Sequence, residues 1–271
     1  MSPIQTVGQV FEAVQKAKAG ATDYCTNFFP VESKLQGWID HGELGAELHN
    51  GAAFFFRNNR DFQHFYFCAS DKTTLQHQIG ASPVMKTERI ITDLVGNESA
   101  LNGLLPALEP AGFRRYAQLQ RMARIGQPES VIGDSQIRFA EMAECQAVLG
   151  LLEGSFDRYG EQIPMLYEIE SAVKNRQILV ARRDGALAGL LFFESQGFAS
   201  TVRFWTVAEP FRALKVGSAL MHCYLKAQKT ARRFTLWVSA SNENAIEKYR
   251  HYGYAPDGLL DCVLANEMIR S

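Results

Sequence analysis

Residues 211–221, reading FRALKVGSALM, set two cations and a run of small residues where an apolar stretch, 202–207, gives way to a helical pattern. The first N–H groups of a helix have no partner within it and carry partial positive charge, so an anion sits there favourably. Gly217, Ser218 and Ala219 leave that backbone uncovered, and Arg212 and Lys215 add charge. The chemistry such a turn suits is the holding of a pyrophosphate. A second segment, 239–254, reads SASNENAIEKYRHYGY. Helical spacing places Ala245, Tyr249 and Tyr252 along one side. A phenol is neutral at pH 7 and can donate a proton to a departing anion, which makes Tyr249 a candidate general acid.

Together the two segments resemble the GNAT superfamily of acyl-CoA-dependent N-acetyltransferases, and the resemblance covers the chain from about residue 135 on. In that family an R/Q-x-x-G-x-G/A turn cradles the CoA pyrophosphate. A strand and then N-x-x-A-x-x-x-Y-x-x-x-G-F/Y follow. Arg212, Lys215 and Gly217 fall on the first pattern, with Val216, Ser218 and Ala219 beside them, and Asn242, Ala245, Tyr249, Gly253 and Tyr254 fall on the second. Lys215 departs from the pattern, standing where the first glycine usually is. Lysine is strained there if the position needs positive φ, and it could also touch a phosphate.

The resemblance implies acetyl-CoA as acyl donor, no metal, and an amine as acceptor. It implies that the strand before the turn splays from its neighbour and binds the pantetheine arm through free backbone groups. Val207 then carries the amide nearest the thioester carbonyl, Asn242 contacts the cofactor, and Tyr249 protonates the leaving thiolate. For the base, Glu194 lies near a strand end, Glu209 adjoins the turn, and an ordered water could relay the proton instead. Substrate choice is expected from the loop 155–165, where Phe156, Asp157, Arg158 and Tyr159 mix aromatic faces with both charges. Asp157 or Glu161 could hold an ammonium, and Arg158 a carboxylate.

The positioning elements follow from composition and pattern. With 271 residues, 46% hydrophobic and 21% charged, the chain can form one large domain or two ordinary ones. A formal net charge of −1 gives no bulk attraction to nucleic acid or anionic membrane, so neither is an expected partner. The resemblance implies a small-molecule amine as partner, and the expected form is a monomer or homodimer. The five scattered cysteines, without a CxxC pair, fit reduced thiols. The start of the chain shows no signal peptide, so the expected compartment is the cytoplasm.

Residues 124–136 read as a linker between an N-terminal α/β domain, 1–130, and a GNAT domain, 135–271, whose fold class is a mixed twisted α/β sheet flanked by helices. In the second domain we expect strands at 137–140, 177–182, 188–194, 201–207, 234–238 and 262–265, and helices at 144–156, 167–174 and 217–232, with another after Asn242. Asp184-Gly185 reads as a hairpin turn. In the first, hairpin strands at 52–57 and 62–69 and a strand at 89–95 are expected. NESAL, 97–101, then echoes NENAI, 242–246, and each precedes a helix ended by glycine and an aromatic (Gly112-Phe113; Gly253-Tyr254). This reads as a degenerate GNAT-like repeat with Leu104 in place of Tyr249 and no pyrophosphate turn, hence no CoA site. Three functions stand open at this point: acetyl transfer to a small or amino-acid-like amine, transfer of a longer acyl or aminoacyl group by a tandem enzyme, and CoA sensing without turnover.

Overall fold

Each half of the chain builds a mixed α/β sheet flanked by helices in the computed structural model, which describes residues 1–127 and 136–270. Unit 1 comprises Met1–Leu119 and Leu259–Ser271, and unit 2 comprises Gln120–Gly258. The expected boundary at 130–135 thus stands beside a division at Leu119/Gln120, and the closing segment packs with the first unit rather than the second. Most of the expected linker, residues 128–135, lies outside the described residues.

The first series of elements runs β1 (Ser2–Pro3), α1 (Val7–Lys18), β2 (Cys25–Thr26), α2 (Glu32–Asp40), β3 (Leu44–His49), β4 (Ala52–Asn59), β5 (Phe62–Ala69), α3 (Lys72–Ala81), α4 (Val84–Thr87), β6 (Ile90–Gly96), α5 (Glu98–Leu108) and β7 (Arg114–Ile125). The second runs β8 (Ile137–Phe139), α6 (Cys145–Ser155), α7 (Leu166–Lys174), β9 (Ile178–Arg183), β10 (Ala186–Gln196), β11 (Ala199–Val207), α8 (Val216–Ala227), β12 (Arg233–Ser239), α9 (Glu243–His251), β13 (Ala255–Ala265) and α10 (Glu267–Arg270). Apart from the short β2, α4 and α10, the two series have the same order. The echo between NESAL and NENAI is geometric as well. Asn97 Oδ1 accepts the Ala100 N–H at 2.9 Å, and Asn242 Oδ1 accepts the Ala245 N–H at 3.1 Å. Gly112 and Gly253, after the two helices, both turn the chain with left-handed φ, 84° and 79°.

Strand alternation sorts the side chains of unit 1 to two faces. Phe54, Phe56, Phe65 and Phe67 pack with Leu75 of α3 and Leu101 of α5, while Phe55 and Cys68 pack with Val10 of α1 and Leu35 and Trp38 of α2. β13 is longer than its expected span. Its Leu260–Ala265 part pairs antiparallel with Ile91–Gly96, which sends Cys262 and Leu264 into the core of unit 1.

In unit 2, β8, β9, β10 and β11 are neighbours in that order by antiparallel pairing, and β12 joins β11 in parallel. The β9–β10 hairpin turns on Asp184 and Gly185, whose φ values of 51° and 78° are those of the tight turn that this dipeptide favours. One face holds α6 and α7 on Val180, Leu190 and Phe204; the other holds α8 and α9 on Leu191, Val202 and Leu236. The helix expected over 217–232 ends at Ala227. The Ala231 N–H turns back to the Gln228 carbonyl and the Arg232 N–H to that of Phe198, so Arg232 and Arg233 belong to the entry to β12. Among the described residues no helix is long and apolar enough to cross a membrane.

Candidate active site

Parallel pairing of β11 with β12 runs from Ala199/Arg233 to Val202/Leu236 and stops, although β11 continues to Val207 and β12 to Ser239. The strands therefore part, and the edge of β11 from Arg203 to Val207 faces an opening. On its other side β11 stays paired with β10. Arg203 has no partner there, because Phe192 opposes Phe204 while Phe193 opposes Val202, a bulge that bends the strand at the parting point. The Ala208 N–H donates to the Ala188 carbonyl at 2.9 Å. Antiparallel strands alternate the edge to which successive residues turn their backbone groups, so the N–H of Val207 points away from β10 and into the opening. From the opening side, Arg212 Nε donates to the Val207 carbonyl at 3.4 Å.

The chain leaves β11 through a 3-10 turn, Glu209–Leu214, and enters α8 at Lys215. Lys215 has φ 57° and ψ 16°, a left-handed conformation that costs a side chain of L configuration about 1 kcal/mol. No side chain caps α8, and the first N–H in it to find a helical partner is that of Ala219, on the Lys215 carbonyl at 3.1 Å. The amides of Val216, Gly217 and Ser218 thus stay available at the positive end of the helix, beside the exposed side chains of Arg212 and Lys215.

Two glycines let α8 sit this close to the strands. A Cβ on Gly189 would stand 2.8 Å from the Thr206 carbonyl oxygen and 3.2 Å from both Val216 Cγ1 and Leu220 Cδ1. A Cβ on Gly217 would stand 3.3 Å from Trp205 Cζ2. Gly217 is therefore packed tightly against Trp205, whereas the sequence suggested only an uncovered backbone. Neither Gly189 nor Trp205 was singled out from the sequence. A glycine inside an apolar strand run was the available signal for the first.

Tyr249, in α9, packs on Trp205 at 5.4 Å between ring centroids and on Tyr254 at 6.0 Å. It is 8% exposed, and its hydroxyl has no hydrogen-bond partner among the described residues. Burial raises its pKa, and the charge of Glu161 raises it further, so the phenol holds its proton throughout the physiological range. Trp205 Nε1 is likewise enclosed and unpaired among the described residues. Asn242 is a helix cap through Oδ1, and Ala245 packs against the same core as Tyr249.

Glu194 is not brought to this place. It opposes Thr201, six register steps from Val207, or roughly 20 Å along the strand, where β11 and β12 are still paired. Its carboxylate accepts from Arg203 Nη1 at 3.1 Å. Glu209 opens the 3-10 turn and is exposed. The loop 155–165 is only partly as expected. Phe156 packs edge-on against Phe204 at 5.0 Å, Asp157 Oδ1 accepts the Tyr159 and Gly160 amides at 3.0 and 2.6 Å, and Arg158 donates to the Tyr159 hydroxyl at 2.8 Å. These contacts make Phe156 and Asp157 parts of the loop's own framework. Among the described residues no cluster of His, Cys, Asp or Glu is placed to hold a metal, and the cysteines are unbridged.

The corresponding place in unit 1 is filled by the chain itself. β5 and β6 are parallel and pair only at Gln63/Ile90 and His64/Ile91. Beyond that point β2 pairs with the freed edge of β5, at Cys25/Ala69 and Thr26/Cys68. Asn27 spans the gap, its Nδ2 donating to the Phe65 carbonyl, Thr92 Oγ1 and the Asp93 carbonyl at 3.2, 2.8 and 3.1 Å, and its Oδ1 accepting the Phe67 N–H at 2.7 Å. The next helix, α3, is capped by Asp71, which accepts from the Thr74 N–H at 2.8 Å. Where α8 presents free amides and Lys215, α3 presents a satisfied amide and a carboxylate.

Residues 145–254 match the description of the Acetyltransferase (GNAT) family, and this part of the chain is a GNAT domain, which makes the protein an acyltransferase. No curated protein matches the sequence. Among solved structures, a GCN5-related N-acetyltransferase from Sphaerobacter thermophilus is similar at 17% identity and TM-score 0.58, over 96% of this chain and 91% of that one. A tandem GNAT protein from the clavulanic acid biosynthesis pathway aligns at 11% identity and TM-score 0.58, over 97% of both chains. A GNAT-family acetyltransferase from Colwellia psychrerythraea aligns at 11% and 0.58, over 98% of both. At these identities the likeness is one of fold, and it extends through both units.

Proposed function

We propose that unit 2 transfers the acetyl group of acetyl-CoA to the primary amine of a small or amino-acid-like molecule by direct attack. The observation that carries this is the opening between β11 and β12, which has the uncapped start of α8 at one end and the unpartnered hydroxyl of Tyr249 within the same core. The residues present fit coenzyme A. The amides of Val216, Gly217 and Ser218, with Arg212 and Lys215, would hold its pyrophosphate. The free edge of β11, with the Val207 N–H, would hold the pantetheine arm as a further strand would be held and polarise the thioester carbonyl. When bound, the coenzyme supplies the activated acyl group. Tyr249 keeps its proton until a thiolate leaves, then donates it. We also propose one coenzyme per chain, because in unit 1 Asn27 and β2 occupy the equivalent edge and Asp71 would repel a pyrophosphate.

Thiol release from acetyl-CoA with a panel of alkyl amines tests this, together with calorimetric titration of CoA. Release with at least one amine, a stoichiometry of one, and a Y249F variant that loses turnover while keeping CoA affinity are expected. Binding of CoA without release for every amine would overturn the transfer reading.

A further inference from the structure

The opening has an acid in Tyr249 but, with Glu194 far away, no base from the strands. The loop between α6 and α7 supplies a carboxylate. Ser155 Oγ accepts from Thr206 Oγ1 at 3.0 Å and Phe156 packs on Phe204, so the loop is fixed to the parted end of β11 at its start. Ile163, 2% exposed, fixes its other end in the core under α6 and α7. Between these anchors the Glu161 N–H donates to the Asp157 carbonyl at 2.9 Å, and Gly160 is buried. Glu161 is half-buried, and its carboxylate has neither an ion pair nor a hydrogen bond among the described residues. The titratable groups that face it are Asp157 of its own loop and Tyr249 of α9. Arg158, the cation of the loop, lies over the Tyr159 ring at 4.7 Å. A half-buried carboxylate without a cation, beside a second carboxylate and an unpartnered phenol, is a place made for an ammonium group.

Resting on the acetyl-transfer reading above, we propose that Glu161 receives the ammonium of the acceptor and takes its proton, acting as the general base of the reaction. The ionised carboxylate accepts one proton from R–NH3+, which frees the nitrogen lone pair. The nitrogen forms its bond to the thioester carbonyl carbon. The tetrahedral adduct breaks the C–S bond, and the thiolate takes the Tyr249 proton. The adduct nitrogen gives up its second proton, which restores Tyr249, and Glu161 returns the first proton to solvent. The products are amide, free thiol and one released proton. Burial, and then the Asp157 charge, push the Glu161 carboxyl up to about 7 from 4.5, which matches a base to neutral pH.

The test compares the parent with E161Q and E161D, using acetyl-CoA with ethanolamine, putrescine, phenethylamine and lysine, and with aniline, which is already neutral at pH 7. Parent kcat/KM with the alkyl amines is expected to fall below about pH 7, at the same pH for each amine. E161Q should lose about 100-fold or more with alkyl amines and lose that acid limb, with little change for aniline and none in CoA affinity. E161D should recover part of the rate. Parent-like E161Q rates in a protein that does turn over would overturn the role of Glu161 alone, whereas a parent that releases no thiol with any amine would overturn the transfer reading instead. In a protein that does turn over, 13C NMR of labelled glutamate carboxyls should also show one titrating near 7 that E161Q lacks, and its absence would overturn the base role.

Discussion

Trp205 and Gly217 meet so closely that a single added methyl on residue 217 would stand 3.3 Å from the indole and 3.5 Å from Val207 Cγ2. The contact sets how deeply the first turn of α8 sits against the end of β11. G217A keeps every hydrogen bond yet must push the ring or the helix by a few tenths of an ångström. We expect a stability loss of ~1 kcal/mol in denaturant titration and a several-fold weaker CoA Kd in calorimetry. An unchanged Kd would separate the helix position from coenzyme binding.

Ser218→Glu sets two effects of the same field against each other. A carboxylate in the first turn of α8 favours the helix by ~0.5 kcal/mol, so the melting temperature should hold or rise. The same charge faces the proposed pyrophosphate place, and CoA binding should fall at least tenfold. Loss of both together would mean that the variant acts through the fold.

Lys215→Gly removes a strained left-handed side chain, worth ~1 kcal/mol, and adds a comparable entropic cost in the unfolded chain. The melting temperature should move by less than ~3 °C. CoA affinity should weaken several-fold at low salt, and the difference from the parent should shrink as salt is raised, since an exposed cation is screened. A salt-independent effect would point to backbone geometry rather than charge.

Glu144 ties β8 to β9. Its two oxygens accept from Arg138 Nη1 and Nη2 at 2.7 and 3.0 Å, from Arg182 Nε at 2.7 Å and from the Glu141 N–H at 2.9 Å. Burial pushes its carboxyl up, but these donors prevail and hold it at about 2, against 4.5. A depressed carboxyl contributes its stability above the unfolded value and loses it as pH falls through the folded one. E144Q should cost about 3 kcal/mol at pH 7, with the gap to the parent closing between pH 4.5 and 2. Parallel acid-denaturation curves would count against this.

Unit 2 was the more legible half because its signals are local. Asp184-Gly185, the cation-rich turn before α8 and the Asn242 cap each act within a few residues of chain, and each formed where the pattern put it. What escaped was set by distant partners. Glu194 was judged by its nearness to a strand end, but register with β11 decides which end of that strand it serves. Gly189 matters because a helix from later in the chain lies on it. The length of β13 comes from pairing with a strand more than a hundred residues earlier, which no local alternation announces. In unit 1 the echo around Asn97 was visible, while β2 and Asn27, too short to carry a period, were not.

Asn27 and its neighbours behave as a ligand that is part of the chain. A segment tethered at both ends competes for the edge of β5 at an effective concentration of order millimolar or above, and it never diffuses away. A soluble coenzyme entering there would have to strip the Phe67 N–H and the Phe65 and Asp93 carbonyls of partners that they already own. A slot closed in this manner is not easily opened by one substitution, because the intruding strand and the acidic cap at Asp71 would both have to be undone at once.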